Sequence, residues 1–123
     1  MISIERAFGS DFNDSLTGDA GNNILYGNDG SDYLDGGGAS DFLHGGDGAD
    51  VFGFGVNSGN DRIGDFEDGT DIIDLSAVTG LDDFSQLLIA NNAQGDAVIS
   101  FGNNSIELDG VDASLVDATD FVF

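Results

Sequence analysis

The sequence predicts an all-β chain: a β-solenoid, or flattened coil of short parallel strands wound from nonapeptide repeats, closed by a C-terminal β-rich cap containing one short helix. Three observations carry this. Five nonapeptides run without a gap from Gly9 to Gly53: GSDFNDSLT, GDAGNNILY, GNDGSDYLD, GGGASDFLH and GGDGADVFG. The composition is that of turns, with 21 Asp against 3 Glu, 20 Gly and 10 Asn, where a solvated helical face would favour Glu. The 123 residues, 40% of them hydrophobic, are enough for one core and one domain.

Each repeat position has a physical task. Gly opens every repeat, at 9, 18, 27, 36 and 45. Gly, Asn, Asp and Ser fill most of the first six positions, and these residues tolerate positive φ or cap turns with their own side chains. The fourth position is Gly21, Gly30 and Gly48 in three repeats, with Phe12 and Ala39 departing. The sixth is Asp14, Asn23, Asp32, Asp41 and Asp50, and the eighth is Leu16, Leu25, Leu34, Leu43 and Phe52. One large apolar residue between two neighbours is a three-residue strand with its middle side chain inward. Two repeats make one turn of the coil, so repeat n stacks on repeat n+2. Beyond Gly53 the period slips by two residues. VNSGNDRIG (56–64) recovers a degenerate sixth repeat, with Asp61 at the sixth position facing Asp41.

The charge of this coil needs an answer. The chain carries 24 Asp+Glu against 2 Lys+Arg, a net charge of −22, and all basic charge sits on Arg6 and Arg62. Such a chain cannot neutralise phosphates, which excludes nucleic acid, and the same argument excludes an anionic membrane surface. No apolar run approaches 18 residues, so no helical membrane insertion is expected. There is no Cys, hence no disulfide, zinc thiolate or thiol nucleophile. Stacked rungs lie about 4.8 Å apart, so Asp14 faces Asp32 and Asp32 faces Asp50, with no cationic side chain to offset them. A metal ion is the simplest counter-charge.

The pattern Gly-Gly-x-Gly-x-Asp-x-hydrophobic-x resembles the RTX (repeats-in-toxin, haemolysin-type) calcium-binding nonapeptide, a known repeat signature. The resemblance implies a parallel β-roll in which calcium sits between turns n and n+2. It implies as ligands the sixth-position side chains Asp14, Asn23, Asp32, Asp41, Asp50 and Asp61. To these it adds backbone carbonyls around Gly9, Asp11, Gly18, Ala20, Gly27, Asp29, Gly30, Gly36, Gly38, Gly45, Asp47 and Gly48. An all-oxygen set suits a hard cation. The pairs 1/3, 2/4, 3/5 and 4/6 would hold about four calcium ions if all are filled. Pair 2/4 is expected to be the weak one, because Asn23 brings no charge and Ala39 replaces a permissive Gly.

On this reading residues 1–8 are a lead-in, 9–64 the calcium-binding roll and 65–123 a cap. The run GNDRIGDFEDGTDIIDLS (59–76) resembles the segment closing the roll in serralysin-type proteases and related exoproteins. Asp71 and Asp74 flank an Ile72-Ile73 strand. Apolar residues at 81, 84, 87 and 88 have helical spacing, with Asp82-Asp83 at the N-terminus. Ala97–Phe101 and Ser105–Leu108 read as a hairpin across Gly102-Asn103-Asn104. The terminal Asp-Phe-Val-Phe reads both as a last strand and as the uncleaved C-terminal signal of type I secretion. Met1–Arg6 has no apolar stretch of an N-terminal signal peptide, so an extracellular location would be reached by that route.

No His-Glu-x-x-His and no Gly-x-Ser-x-Gly occurs. His44 falls at an outward ninth position, whereas a catalytic His needs a nucleophile and an orienting partner in reach, so no catalysis is expected. The leading function is a calcium-binding, non-catalytic module of a type I secreted protein that folds on calcium and supports an upstream domain of the same parent. A polysaccharide-binding module is the alternative, since the repeats also resemble those of alginate-modifying epimerases, although two Arg are few for a polyanion. A stand-alone structural or adhesive protein is the third reading. On the outer face of the even repeats Ile24, Tyr26 and Phe42 form an apolar cluster, expected to be covered by the 81–123 segment, an upstream domain or self-association.

Overall fold

The computed structural model describes residues 4–123, with side chains from Arg6 onward; the first three residues of the lead-in lie outside the described residues. The chain is a parallel β-solenoid of about four turns. Its short strands are β1 (Ile4–Phe8), β2 (Ser15–Thr17), β3 (Asn22–Tyr26), β4 (Tyr33–Asp35), β5 (Phe42–His44), β6 (Val51–Gly53), β7 (Asn60–Ile63) and β8 (Ile72–Asp74). Then come β9 (Leu88–Asn91), β10 (Ala97–Phe101), β11 (Asn104–Leu108) and β12 (Phe121–Val122). Alternate strands share a sheet. One sheet has the order β1-β3-β5-β7-β11-β10-β9 and the other β12-β8-β6-β4-β2.

The register follows the repeat. Leu16 lies beside Leu34, Leu34 beside Phe52, and Phe52 beside Ile73. Across the coil Leu25 lies beside Leu43 and Leu43 beside Ile63. Leu34, Leu43, Phe52, Ile63 and Ile73 are fully buried between the sheets. Burying each such side chain contributes roughly 1.5–3 kcal/mol. Strands this short are marginal alone, and the stacked columns make them one core. The period slip is absorbed in the turns. Asp61 follows Asp41 by 20 residues and Asp71 follows Asp50 by 21, yet both keep the sixth-position register.

Three features depart from the sequence reading. The lead-in contributes a strand of the roll, since β1 pairs in parallel with β3, Ala7 beside Leu25 and Phe8 beside Tyr26. The helix expected around Leu81–Leu88 is only a 3-10 turn, Phe84–Gln86, capped by Asp83 and followed directly by β9. β9 pairs antiparallel with β10, and completing the sheet there competes with helical spacing. Two more 3-10 turns, Ala113–Leu115 and Ala118–Asp120, lead into β12. The hairpin is present with a shorter turn, because Asn104 is already paired with Phe101.

The C-terminal half continues both sheets. β11 adds to β7 in parallel, and β12 adds to β8. It therefore extends the even sheet edge-on and does not lie across Ile24 and Phe42, which corrects the expectation that residues 81–123 cover that cluster. The cluster is half-buried by its own neighbours. Phe8 stacks on Tyr26 with ring centres 5.1 Å apart, Tyr26 lies 6.4 Å from Phe42, and the Arg62 guanidinium sits 5.5 Å over the Phe42 ring.

Candidate metal centre

The turns stack into two edges, and the sixth-position side chains form a ladder along each. On one edge Asp14 N–H donates to Asp32 Oδ1 at 2.8 Å, Asp32 N–H to Asp50 Oδ1 at 2.9 Å, and Asp50 N–H to Asp71 Oδ1 at 2.9 Å. On the other, Asn23 N–H donates to Asp41 Oδ1 at 2.8 Å and Asp41 N–H to Asp61 Oδ1 at 2.9 Å. One carboxylate oxygen per rung thus satisfies the backbone of the rung before it. The structure brings together Asp14, Asp32 and Asp50 on one edge and Asn23, Asp41 and Asp61 on the other.

The second oxygens decide what the edges can do. Asp32 Oδ2, Asp41 Oδ2, Asp50 Oδ2 and Asp61 Oδ2 are buried with no hydrogen-bond partner. Buried polar atoms without partners are costly and rare. The ends of the Asp14–Asp71 ladder are different. Asp14 Oδ2 accepts from Ser10 N–H at 2.6 Å, and Asp71 Oδ2 accepts from Glu67 N–H at 2.9 Å. In that ladder the orphaned oxygens belong to the inner rungs Asp32 and Asp50, and in the other to Asp41 and Asp61.

Carbonyls of the stacked turn approach the same places. A methyl group added to Gly9 would lie 2.6 Å from both Asp14 Oδ2 and the Gly27 carbonyl. One added to Gly27 would meet Asp32 Oδ2 and the Gly45 carbonyl, and one added to Gly18 would meet the Gly36 carbonyl. The opening position is glycine because carboxylate and carbonyl crowd it. Of the other carbonyls expected as ligands, that of Gly9 accepts from Asn28 Nδ2 at 2.8 Å. The side chains of Asp11, Asp29 and Asp47 are exposed on the turns. Orphaned carboxylate oxygens beside carbonyls, with no sulfur, fit a hard cation such as calcium. Such an ion would supply charge neutralisation and cross-linking of turns, and the position-six carboxylates would hold it.

Burial also raises the pKa of these carboxyls. Asp61 is pushed up to about 8 and Asp50 to about 7, by burial first and then by the charges of Asp41 and Asp35 on the one and Asp71, Asp32 and Asp65 on the other. Burial pushes Asp71 up to about 6, and raises Asp32 and Asp41 as well. Between the ordinary carboxyl value and these raised values the calcium-free folded chain binds more protons than the unfolded chain. The contribution of these carboxyls to stability is therefore fully present in acid and is lost as pH rises through about 6 to 8. Calcium competes with those protons. The expected result is proton release on calcium binding and an apparent calcium affinity that climbs from pH 5.5 to pH 8, measured in weakly buffered titrations. Equal affinity across that range would show that the buried carboxyls do not contact the ion.

Three residues that the sequence reading did not single out also tie the turns together. Asp71 ends one ladder, and its signal was Asp-Ile-Ile, the sixth-to-eighth pattern shifted by three residues. Asp65 accepts from the N–H groups of Gly45 at 2.8 Å and Gly46 at 2.7 Å, and pairs with His44 at 3.3 Å. Asn104 accepts from Gly59 N–H at 3.0 Å and donates to the Val56 carbonyl at 2.9 Å. A separate acidic group, Asp96, Glu107 and Asp109, is tied to Arg62, whose Nε lies 2.8 Å from Asp109 and 3.3 Å from Glu107.

Comparison with known proteins agrees with this geometry. The family model for the RTX calcium-binding nonapeptide repeat, four copies long, matches residues 8–43 and 26–55. No curated protein sequence matches the chain. Among solved structures, the AlgE6R3 subunit of the Azotobacter vinelandii mannuronan C5-epimerase is similar at 30% identity and TM-score 0.79, over 98% of this chain and 78% of that one. The AlgE6R2 subunit of the same enzyme is similar at 29% identity and TM-score 0.64, over 94% of this chain and 91% of that one. The extracellular lipase LipA of Serratia marcescens shares the fold at 23% identity and TM-score 0.59, over 96% of this chain but 20% of its own length.

Proposed function

The chain belongs to the RTX calcium-binding nonapeptide repeat family, and from that premise we propose that it is a calcium-triggered, non-catalytic module of a type I secreted extracellular protein. The observation that carries the reading is the set of four buried, partnerless carboxylate oxygens in a chain of net charge −22. In a cytosol poor in calcium those charges keep the chain open enough for a secretion channel. Outside, calcium binding energy becomes folding energy, and the folded roll supports a domain of its parent protein. The similarity to an extracellular lipase and to epimerase subunits favours such an appended role. The proposal is tested by fusing the chain behind a reporter in cells carrying a type I transporter. Export of the reporter, followed by compaction in millimolar calcium, is expected. Retention in the cytosol would defeat the secretion part.

A second reading has its own observation. Both arginines and His44 lie on the outer face of the seven-stranded sheet, in register with the apolar cluster: Arg6 beside Ile24, Phe42 beside Arg62, and Tyr26 beside His44. Among the described residues both arginines are on this face, Arg62 shared with Glu107 and Asp109, and a polyanion would meet its positive charge there. Its similarity to mannuronan epimerase subunits makes an acidic polysaccharide the ligand to try. Affinity electrophoresis in alginate gels, with and without calcium, tests it. Unretarded migration of the folded protein, identical for the wild type and Arg6→Ala/Arg62→Ala, would dismiss that face as a binding site.

A further inference from the structure

The two edges of the roll are not built alike. The stacked turns 9–14 and 27–32 hold four carboxylates, Asp11, Asp14, Asp29 and Asp32, whereas turns 18–23 and 36–41 hold only Asp19 and Asp41. At the centre of this lean pair is Asn23, 2% exposed. Its Nδ2 lies 2.7 Å from the Gly21 carbonyl, 3.1 Å from the Gly36 carbonyl, 3.2 Å from Asp19 Oδ1 and 3.3 Å from Asp41 Oδ1.

Those four atoms are all acceptors and come from both turns. A methyl group added to Gly18 would lie 2.6 Å from Asn23 Nδ2 and would also meet the Gly36 carbonyl. Nδ2 therefore stands where Asp14 Oδ2 stands in the neighbouring pair, facing the equivalent carbonyl. Oxygens converging from two turns need a positive centre between them. The N–H groups of an amide supply one; the opposite orientation of the same amide would set an oxygen against four oxygens and would demand a cation. The other prong, Asn23 Oδ1, is buried without a partner, and a single neutral oxygen is a poor basis for a calcium site.

We propose that the side-chain amide of Asn23 takes the place of a calcium ion between turns 18–23 and 36–41, so that this pair is joined without metal. The inference rests on the calcium reading for the other turn pairs. It means that Asn23 is a donor that replaces an ion, not a ligand to one, and that the second and fourth turns hold together at calcium levels where the other pairs come apart.

The test is the ion count by native mass spectrometry in calcium-containing buffer for the wild type and Asn23→Asp. The variant should bind one more calcium than the wild type, and its folding should require more calcium. An equal or lower count in Asn23→Asp overturns the proposal. Should the variant fail to fold, nuclear magnetic resonance of the calcium-loaded wild type decides. The Asn23 Nδ2 protons should exchange slowly and show contacts to Gly36. Exchange at the solvent rate would mean that the amide is turned away and the proposal is wrong. A wild-type chain that binds no calcium would instead defeat the calcium reading, and the same amide exchange would still decide the hydrogen-bonded joint.

Discussion

In excess EDTA at neutral pH the far-UV circular dichroism of this chain is expected to lose most of its β signal, and millimolar calcium should restore it. The fold places like charges in register. Asp14, Asp32, Asp50 and Asp71 stand in one ladder and Asp41 follows Asn23 and precedes Asp61 in the other. Two carboxylates about 5 Å apart repel by roughly 3 kcal/mol at an effective dielectric constant of 20. Only one large apolar residue per repeat enters the core to oppose this. The described ion pairs are those of His44 with Asp65 and of Arg62 with Glu107 and Asp109, and none reaches a ladder carboxylate. Magnesium at the same concentration is expected to restore much less, since it demands a tighter octahedral site and sheds water reluctantly. A native-like spectrum at nanomolar free calcium and neutral pH would refute the account.

What could be read from the sequence depended on whether one residue carried its own signal. The columns Leu16–Leu34–Phe52 and Leu25–Leu43 were legible because glycine at position one and an apolar residue at position eight recur in phase. Asp61 was legible despite a slip because Gly59 and Ile63 keep their offsets from it. Asp71 has the same offsets from Gly69 and Ile73 but was not read, because one extra residue after Asp61 moves it out of phase and Phe66 stands where a repeat opens with Gly, while the sheet register tolerates the shift. The strand at Ile4–Phe8 carries neither glycine nor leucine, and only pairing with β3 identifies it. Around Leu81–Leu88 the helical spacing was real, yet the open edge of β10 claimed Leu88–Asn91, a long-range contact that local spacing does not encode. At the metal centre the residue types were legible, but the division of labour was not. That Oδ1 serves the backbone while Oδ2 is left without a partner, and that Asn23 turns its nitrogen inward, are facts of geometry.

Asp32→Ala is expected to raise the calcium midpoint of folding about tenfold, and Asp14→Ala only about two- to threefold. Asp32 is an inner rung: 2% exposed, its Oδ1 accepts from Asp14 N–H, its own N–H donates to Asp50, and its Oδ2 is an orphan. Removing its side chain leaves the Asp14 N–H without its acceptor, which costs about 1–3 kcal/mol when buried, and deletes an oxygen shared with the Gly45 turn. About 1.4 kcal/mol corresponds to a factor of ten. Asp14 is an end rung, half-buried, with Oδ2 already occupied by Ser10, so its loss is partly covered by water. Asp32→Asn separates the two contributions. Its Oδ1 can keep the ladder bond while its charge is gone, so it should fold at a calcium level between those of the wild type and Asp32→Ala and bind fewer ions than the wild type. Equal midpoints for Asp32→Ala and Asp14→Ala would mean that the inner and outer rungs carry the same load, and that the partnerless oxygens do not mark where the cation sits.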